Sequence, residues 1–127
     1  MEISDIAKVE FDGKADECNN YILIGGPDDN YFLRFVNRDA IGNHGEQYTK
    51  FLEELKKNGI AEEGVECKGG GYCSVYTKEN EKYPRYGEKT YVSICTAASS
   101  LIFGEPNLEI VERLLVEDGR FDEVSLD

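Results

Sequence analysis

At 127 residues the chain is long enough to build one core and too short for two ordinary domains, so residues 1–127 are read as a single domain. Its 26 acidic residues against 14 basic ones give a formal net charge of -12, a field that repels nucleic-acid phosphates and anionic lipid and so excludes both as expected partners. A composition of 40% hydrophobic and 31% charged residues belongs to a folded domain and not to a disordered segment.

Cys18, Cys67, Cys73 and Cys95 form neither a CxxC pair nor a zinc-finger spacing, so no metal site and no cofactor are expected. The opening Met1-Glu2-Ile3-Ser4-Asp5 lacks a basic segment followed by an apolar one, and no apolar run approaches a membrane span. A cytoplasmic location follows, with the cysteines as mostly buried thiols.

In chain order, Ile6 to Phe11 alternates and stops at Asp12-Gly13, which predicts a first strand. Tyr21 to Gly26 is a dense β-branched run ending in GGPDDN, and Tyr31 to Val36 follows it; together they predict a hairpin. The pattern then changes period. Tyr48, Phe51, Leu52 and Leu55 recur at three- and four-residue steps with charges between them, which predicts a helix with one buried stripe. Asn43 stands at its cap, Glu46 three positions on completes a capping box, and Gly59 follows two lysines at its end.

Val65 to Thr77 reads as a strand crossed by three glycines, and Lys78 to Glu88 as a polar turn into a strand from Lys89 to Thr96. Gly69, Gly70 and Gly71 lack the GK[ST] of a phosphate-binding P-loop, so a bulge or a close backbone crossing is the expected reason for them. Glu105-Pro106 predicts the start of a second helix, with Leu108, Val111, Leu114 and Leu115 as its stripe and Gly119 as its stop. Val124 and Leu126 suit a short last strand. The predicted fold is α+β: a single mixed β-sheet of about six strands with two α-helices packed on it.

The only histidine, His44, falls at the first position of the predicted first helix. The N–H groups of that turn have no acceptors within the helix, and the positive end of the helix disfavours imidazolium. A neutral imidazole beside such donors suits a nucleophile or a general base acting on an anionic group. Gly45 leaves room for a phosphoryl group to approach, whereas the Glu46 carboxylate opposes one unless it folds back onto the cap.

The stretches YILI, FLRF, NHGEQYTKFLEELKKNG, ECKGGG, KTYVSICTAA and FGEP, in this order and over most of the chain, resemble the protein phosphohistidine phosphatases of the janus family. The resemblance implies a metal-independent phosphatase acting on phosphohistidine-containing proteins, expected as a monomer, with His44 as its catalytic group. It assigns substrate contacts to Gly45, to Arg34 on the strand before the helix (Arg38 being the weaker match), to Asn20, and to Thr96 and Ala98, with Ser100 as the alternative hydroxyl. Two positions depart from the family pattern: Asn20 replaces a lysine and Tyr72 replaces an arginine, so two charge-assisted contacts are lost. These losses motivate a second reading, a weak or inactive phosphoprotein-binding adaptor of the same fold. A redox or metal role for Cys67, Cys73 and His44 lacks a recognised ligand spacing.

Overall fold

The computed structural model describes residues 1–12, 17–37, 44–79, 88–99 and 104–126. Six strands form one mixed sheet: β1 (Val9–Asp12), β2 (Glu17–Gly25), β3 (Tyr31–Asn37), β4 (Glu66–Glu79), β5 (Glu88–Ser99) and β6 (Glu123–Leu126). Helix α1 (His44–Lys57) stands between β3 and β4, and α2 (Leu108–Asp118) between β5 and β6. The sheet order is β1-β3-β2-β4-β5-β6, with β1 parallel to β3, β6 parallel to β5, and the remaining neighbours antiparallel. The α+β architecture is the one expected from the sequence.

Each helix covers one face of the sheet. On one face, Phe51 and Leu55 of α1 pack with Ile22, Ile24 and Phe32, all fully buried or nearly so. On the other, Leu114 and Leu115 of α2 join Leu33, Phe35, Val92 and Ile94. Successive residues of β2 therefore serve both cores, which is why Tyr21, Ile22, Leu23 and Ile24 form an unbroken apolar run instead of an alternating one. Side chains of this size contribute about 1.5 to 3 kcal/mol each on full burial.

The β2–β3 hairpin turns through Pro27–Asp29, where Asp28 and Asp29 hold φ of 59 and 58° and Asn30 N–H donates to the Pro27 carbonyl. Two consecutive left-handed residues make the tight connection whose twist suits antiparallel strands. Helix α1 ends as its sequence predicts: Gly59 has φ 71°, its N–H donates to the Lys56 carbonyl, and Ile60 N–H donates to the Leu55 carbonyl at 2.8 Å. These paired bonds satisfy the last-turn carbonyls, while Ile60 packs on the α1 core. Asn43, the expected cap at the other end, lies outside the described residues.

Helix α2 starts two residues later than Pro106 suggests. Asn107 is its cap, with Oδ1 accepting from the Glu109 and Ile110 amides, because a short side chain that accepts from two otherwise orphaned N–H donors outweighs the ring's preference for the first turn. Among the described residues no helix is long and apolar enough to cross a membrane.

Candidate functional site

Strand register brings several of the sequence-nominated positions into one line across the sheet. Asn20 of β2 pairs with Val36 of β3 on one side and with Tyr72 of β4 on the other. Beyond Tyr72 the register breaks, for Cys73 pairs with Ile94 and Gly71 with Ser99. A single β4 residue thus faces four on β5, Cys95, Thr96, Ala97 and Ala98. A bulge of this size releases the β5 backbone from the ladder and re-aims what it carries. At the other end of the line, β3 finishes at Asn37 and α1 begins at His44.

Asn20, Thr96 and Ala98 accordingly share one end of the sheet, and Val36, which pairs with Asn20, lines a cleft with Glu46 and Gln47 of the first turn of α1. The backbones of His44, Thr96 and Ala98 are described and their side chains are not; Arg38 and Ser100 lie outside the described residues, as does the hairpin tip 80–87. Asn20 is 7% exposed and its Oδ1 has no hydrogen-bond partner among the described residues. A buried amide oxygen left without a donor costs about 1 to 3 kcal/mol, so a hydrogen-bond donor that reaches it is favoured.

Arg34, which the resemblance nominates as a substrate contact, sits on β3. It lies one step further back on the α1 face, opposite Ile22, and is 8% exposed. Its guanidinium sits over the rings of Phe51 at 5.0 Å and Phe32 at 5.9 Å, and Nη1 donates to the Leu33 carbonyl at 2.9 Å. Two carboxylates neutralise it from elements distant in sequence, Glu10 at 3.9 Å from Nε and Glu54 at 3.7 Å from Nη2. Burial lowers the Arg34 pKa, and the charges of Glu10 and Glu54 act in the opposite direction. The residue is thus an internal cation with its own counter-ions.

Beside it a cleft of about 120 Å³ opens between β3 and α1, lined among others by Glu10, Arg34, Val36, Gln47, Lys50 and Glu54. Gln47, 7% exposed, was not nominated from sequence; both polar atoms of its amide lack a hydrogen-bond partner among the described residues. Its spacing held the signal, since Gln47, Phe51 and Leu55 are separated by four residues each and so share the buried stripe.

The glycine run has a packing explanation. A Cβ on Gly69 would fall 2.6 Å from the Pro106 backbone, and one on Gly71 would fall 2.9 Å from the buried Tyr21 hydroxyl. The segment before α2 crosses β4 at this point, with Gly70 N–H donating to the Gly104 carbonyl at 3.2 Å. At Gly69 this is a close backbone crossing, one of the two explanations anticipated from the sequence; at Gly71 the neighbour is a side chain.

Cys67, Cys73 and Cys95 are free thiols, Cys73 buried and the other two half-buried. Burial raises the Cys67 pKa, partly offset by the Gly69 backbone, which leaves it a poor nucleophile at neutral pH. Among the described residues no group of three His, Cys, Asp or Glu side chains is arranged to hold a metal ion. Compared with known proteins, the chain matches no family model and no curated sequence.

Proposed function

We propose that the protein is a histidine phosphatase that hydrolyses the N–P bond of phosphohistidine in a partner protein, without a metal or cofactor, at the sheet end where α1 begins. One observation carries this reading: the register joins Asn20, Tyr72 and the β5 bulge at Thr96 and Ala98 in a line that ends at Val36, which shares a cleft with Glu46 and Gln47 of the first turn of α1. These are the positions that the resemblance to the phosphohistidine phosphatases nominates, and they are far apart in sequence.

In this reading, His44 attacks phosphorus as the substrate's N–P bond breaks, the departing imidazole takes a proton, and a P–N bond forms at His44. Water then attacks that phosphorus, freeing inorganic phosphate and restoring the imidazole. In the alternative route, His44 removes a proton from water as it attacks the substrate directly. The Gly45 amide, the Asn20 Nδ2–H and the backbone of the β5 bulge donate to the phosphoryl oxygens, where preorganised donors lower the barrier most. The setting is the cytoplasm, where the cysteines stay reduced.

Arg34 favours the second reading, a phosphoprotein-binding adaptor. With its charge shared by Glu10 and Glu54, it contributes little net positive charge to an incoming phosphate. Phosphate release from a phosphohistidine peptide by wild type and His44→Ala separates the two. Turnover that vanishes in the variant supports the phosphatase; binding of the peptide without His44-dependent release leaves the adaptor; neither activity removes both. Acid-labile phosphate trapped on wild type distinguishes the covalent route from the general-base route.

A further inference from the structure

Helix α2 carries apolar surface beyond the stripe that it buries. Val111, Leu114 and Leu115 are buried, but Val116 is 61% exposed, and Leu126 at the end of β6 is 40% exposed. Apart from Met1, these are the exposed large hydrophobic side chains among the described residues. Both line one groove of about 400 Å³ between α2 and β6, to which the half-buried Leu108 also contributes. A single exposed apolar residue is ordinary; two that converge on one groove mark a surface for contact.

Strand β6 gives this groove an open edge. It stands last in the sheet order and pairs with β5 alone among the described strands. Val124 packs on the core beneath α2, and Leu126, two residues on, lies on the same face of the sheet. An extended segment laid along that edge continues the ladder and sets alternate side chains into the groove. In this mode backbone hydrogen bonds supply affinity and side-chain sites supply selectivity.

The rim selects the charge of the segment. Glu109, Glu112 and Glu117 line the groove with Arg113 as the only base among them. In a chain of net charge -12, a second copy would bring this acidic rim against its own equivalent, whereas a basic segment is attracted to it. The groove volume falls in the range of roughly 300 to 1,000 Å³ that takes a single ligand, so it receives a few side chains and not a folded face.

We propose that the groove between α2 and the β6 edge docks an extended basic segment of a partner protein. The segment adds to β6 as a strand, buries apolar side chains against Val116 and Leu126, and places a lysine or arginine on either side of them to meet Glu109, Glu112 and Glu117. This surface is separate from the chemistry of His44 and stands or falls independently of it.

The test is an NMR titration of the 127-residue chain with the peptide Lys-Thr-Val-Thr-Leu-Thr-Lys, whose alternate residues form one side that is apolar in the middle and basic at both ends. The peptide moves the Val116 and Leu126 amides saturably, with a Kd below about 1 mM, and slows hydrogen exchange of at least one β6 amide. Replacing its lysines by glutamate, or its valine and leucine by serine, weakens binding about tenfold or more. In the protein, Val116→Ser and Glu112→Lys each weaken it about tenfold, while Glu63→Lys, the same change of charge at an exposed position elsewhere, changes it less than about twofold.

Lack of saturable movement in wild type overturns the site. A glutamate peptide that binds as tightly overturns the ligand class, and equal losses in Glu112→Lys and Glu63→Lys overturn the location. Saturable binding that leaves every β6 amide unprotected overturns strand addition. A wild-type dimer in sedimentation that Val116→Ser disperses assigns the groove to a second copy and overturns the basic partner. If a variant does not fold, the peptide comparisons on wild type decide.

Discussion

Gly69 of β4 lies against Pro106, with the Cβ position of residue 69 only 2.6 Å from the proline Cα and N. The neighbouring atoms are backbone, which cannot rotate aside, and Gly69 itself holds φ 128°, where side chains are strained. Gly69→Ala is therefore expected to cost about 2 to 4 kcal/mol, through clash and strain together. Gly59→Ala is the comparison: its φ is 71°, and a Cβ there meets open space, so strain acts alone and the cost is about 1 kcal/mol. Urea midpoints of the two variants check this. Equal losses would mean that the crossing at Pro106 is not tight.

The difference between these two glycines also marks what the sequence could reveal. Gly59 was legible because a helix stop is local, set by the lysines before it and the end of the apolar stripe. That Gly69 to Gly71 mark either a bulge or a crossing was legible too, but which of the two, and which segment crosses, was not, since Pro106 is brought there by the sheet and not by the chain nearby. The same distinction holds for the site. YFLRFV gives β3 and its faces, yet it cannot say that Arg34 will be neutralised by Glu10 from β1 and Glu54 from α1, partners on opposite sides of it in sequence. The parallel pairing of β1 with β3, and the β5 bulge opposite Tyr72, likewise depend on long-range register.

Tyr72 offers a direct test of the phosphatase reading. It pairs with Asn20 in the line that leads to α1, and the resemblance places an arginine at its position. Tyr72→Arg is half-exposed enough to accept a charge without a large folding cost, and it adds a charge-assisted donor facing the phosphate. The expected result is a KM for phosphohistidine peptide lowered about fivefold, with kcat at least maintained. The same substitution combined with His44→Ala should restore no turnover. Unchanged KM in a folded Tyr72→Arg protein would remove the line across the sheet as the substrate site.

Arg34 can be separated into its packing and its charge. Arg34→Met keeps an unbranched chain over Phe51 and removes the cation, leaving Glu10 and Glu54 facing an apolar group. Both carboxylates retain access to water, at 54 and 31% side-chain exposure, so they are rehydrated and the full penalty for a stranded buried charge does not apply. A loss of about 1 to 2 kcal/mol is expected, falling when Glu54→Gln is added because less acidic repulsion remains. A double-mutant cycle measures this coupling. No coupling between positions 34 and 54 would show that their proximity carries no energy.

Alkaline pH should weaken the fold through groups whose protons the folded state holds more tightly. Burial raises the pKa of Tyr21, aided by Cys73 and Cys95, and burial also raises those of Cys67 and Tyr48. Below the unfolded values, 9.0 for the thiol and 10.0 for tyrosine, both states keep these protons and the contribution to stability is complete. As pH rises past them the unfolded chain ionises first, so stability falls toward the raised folded values. Cys67 begins the loss near pH 9, Tyr21, 1% exposed, adds to it above about pH 10, and in that upper part of the range Tyr21→Phe should decline less steeply than wild type. Urea midpoints from pH 7 to about 10.5 measure the slopes. Parallel curves for wild type and Tyr21→Phe would show that the Tyr21 hydroxyl is not held in a desolvated site.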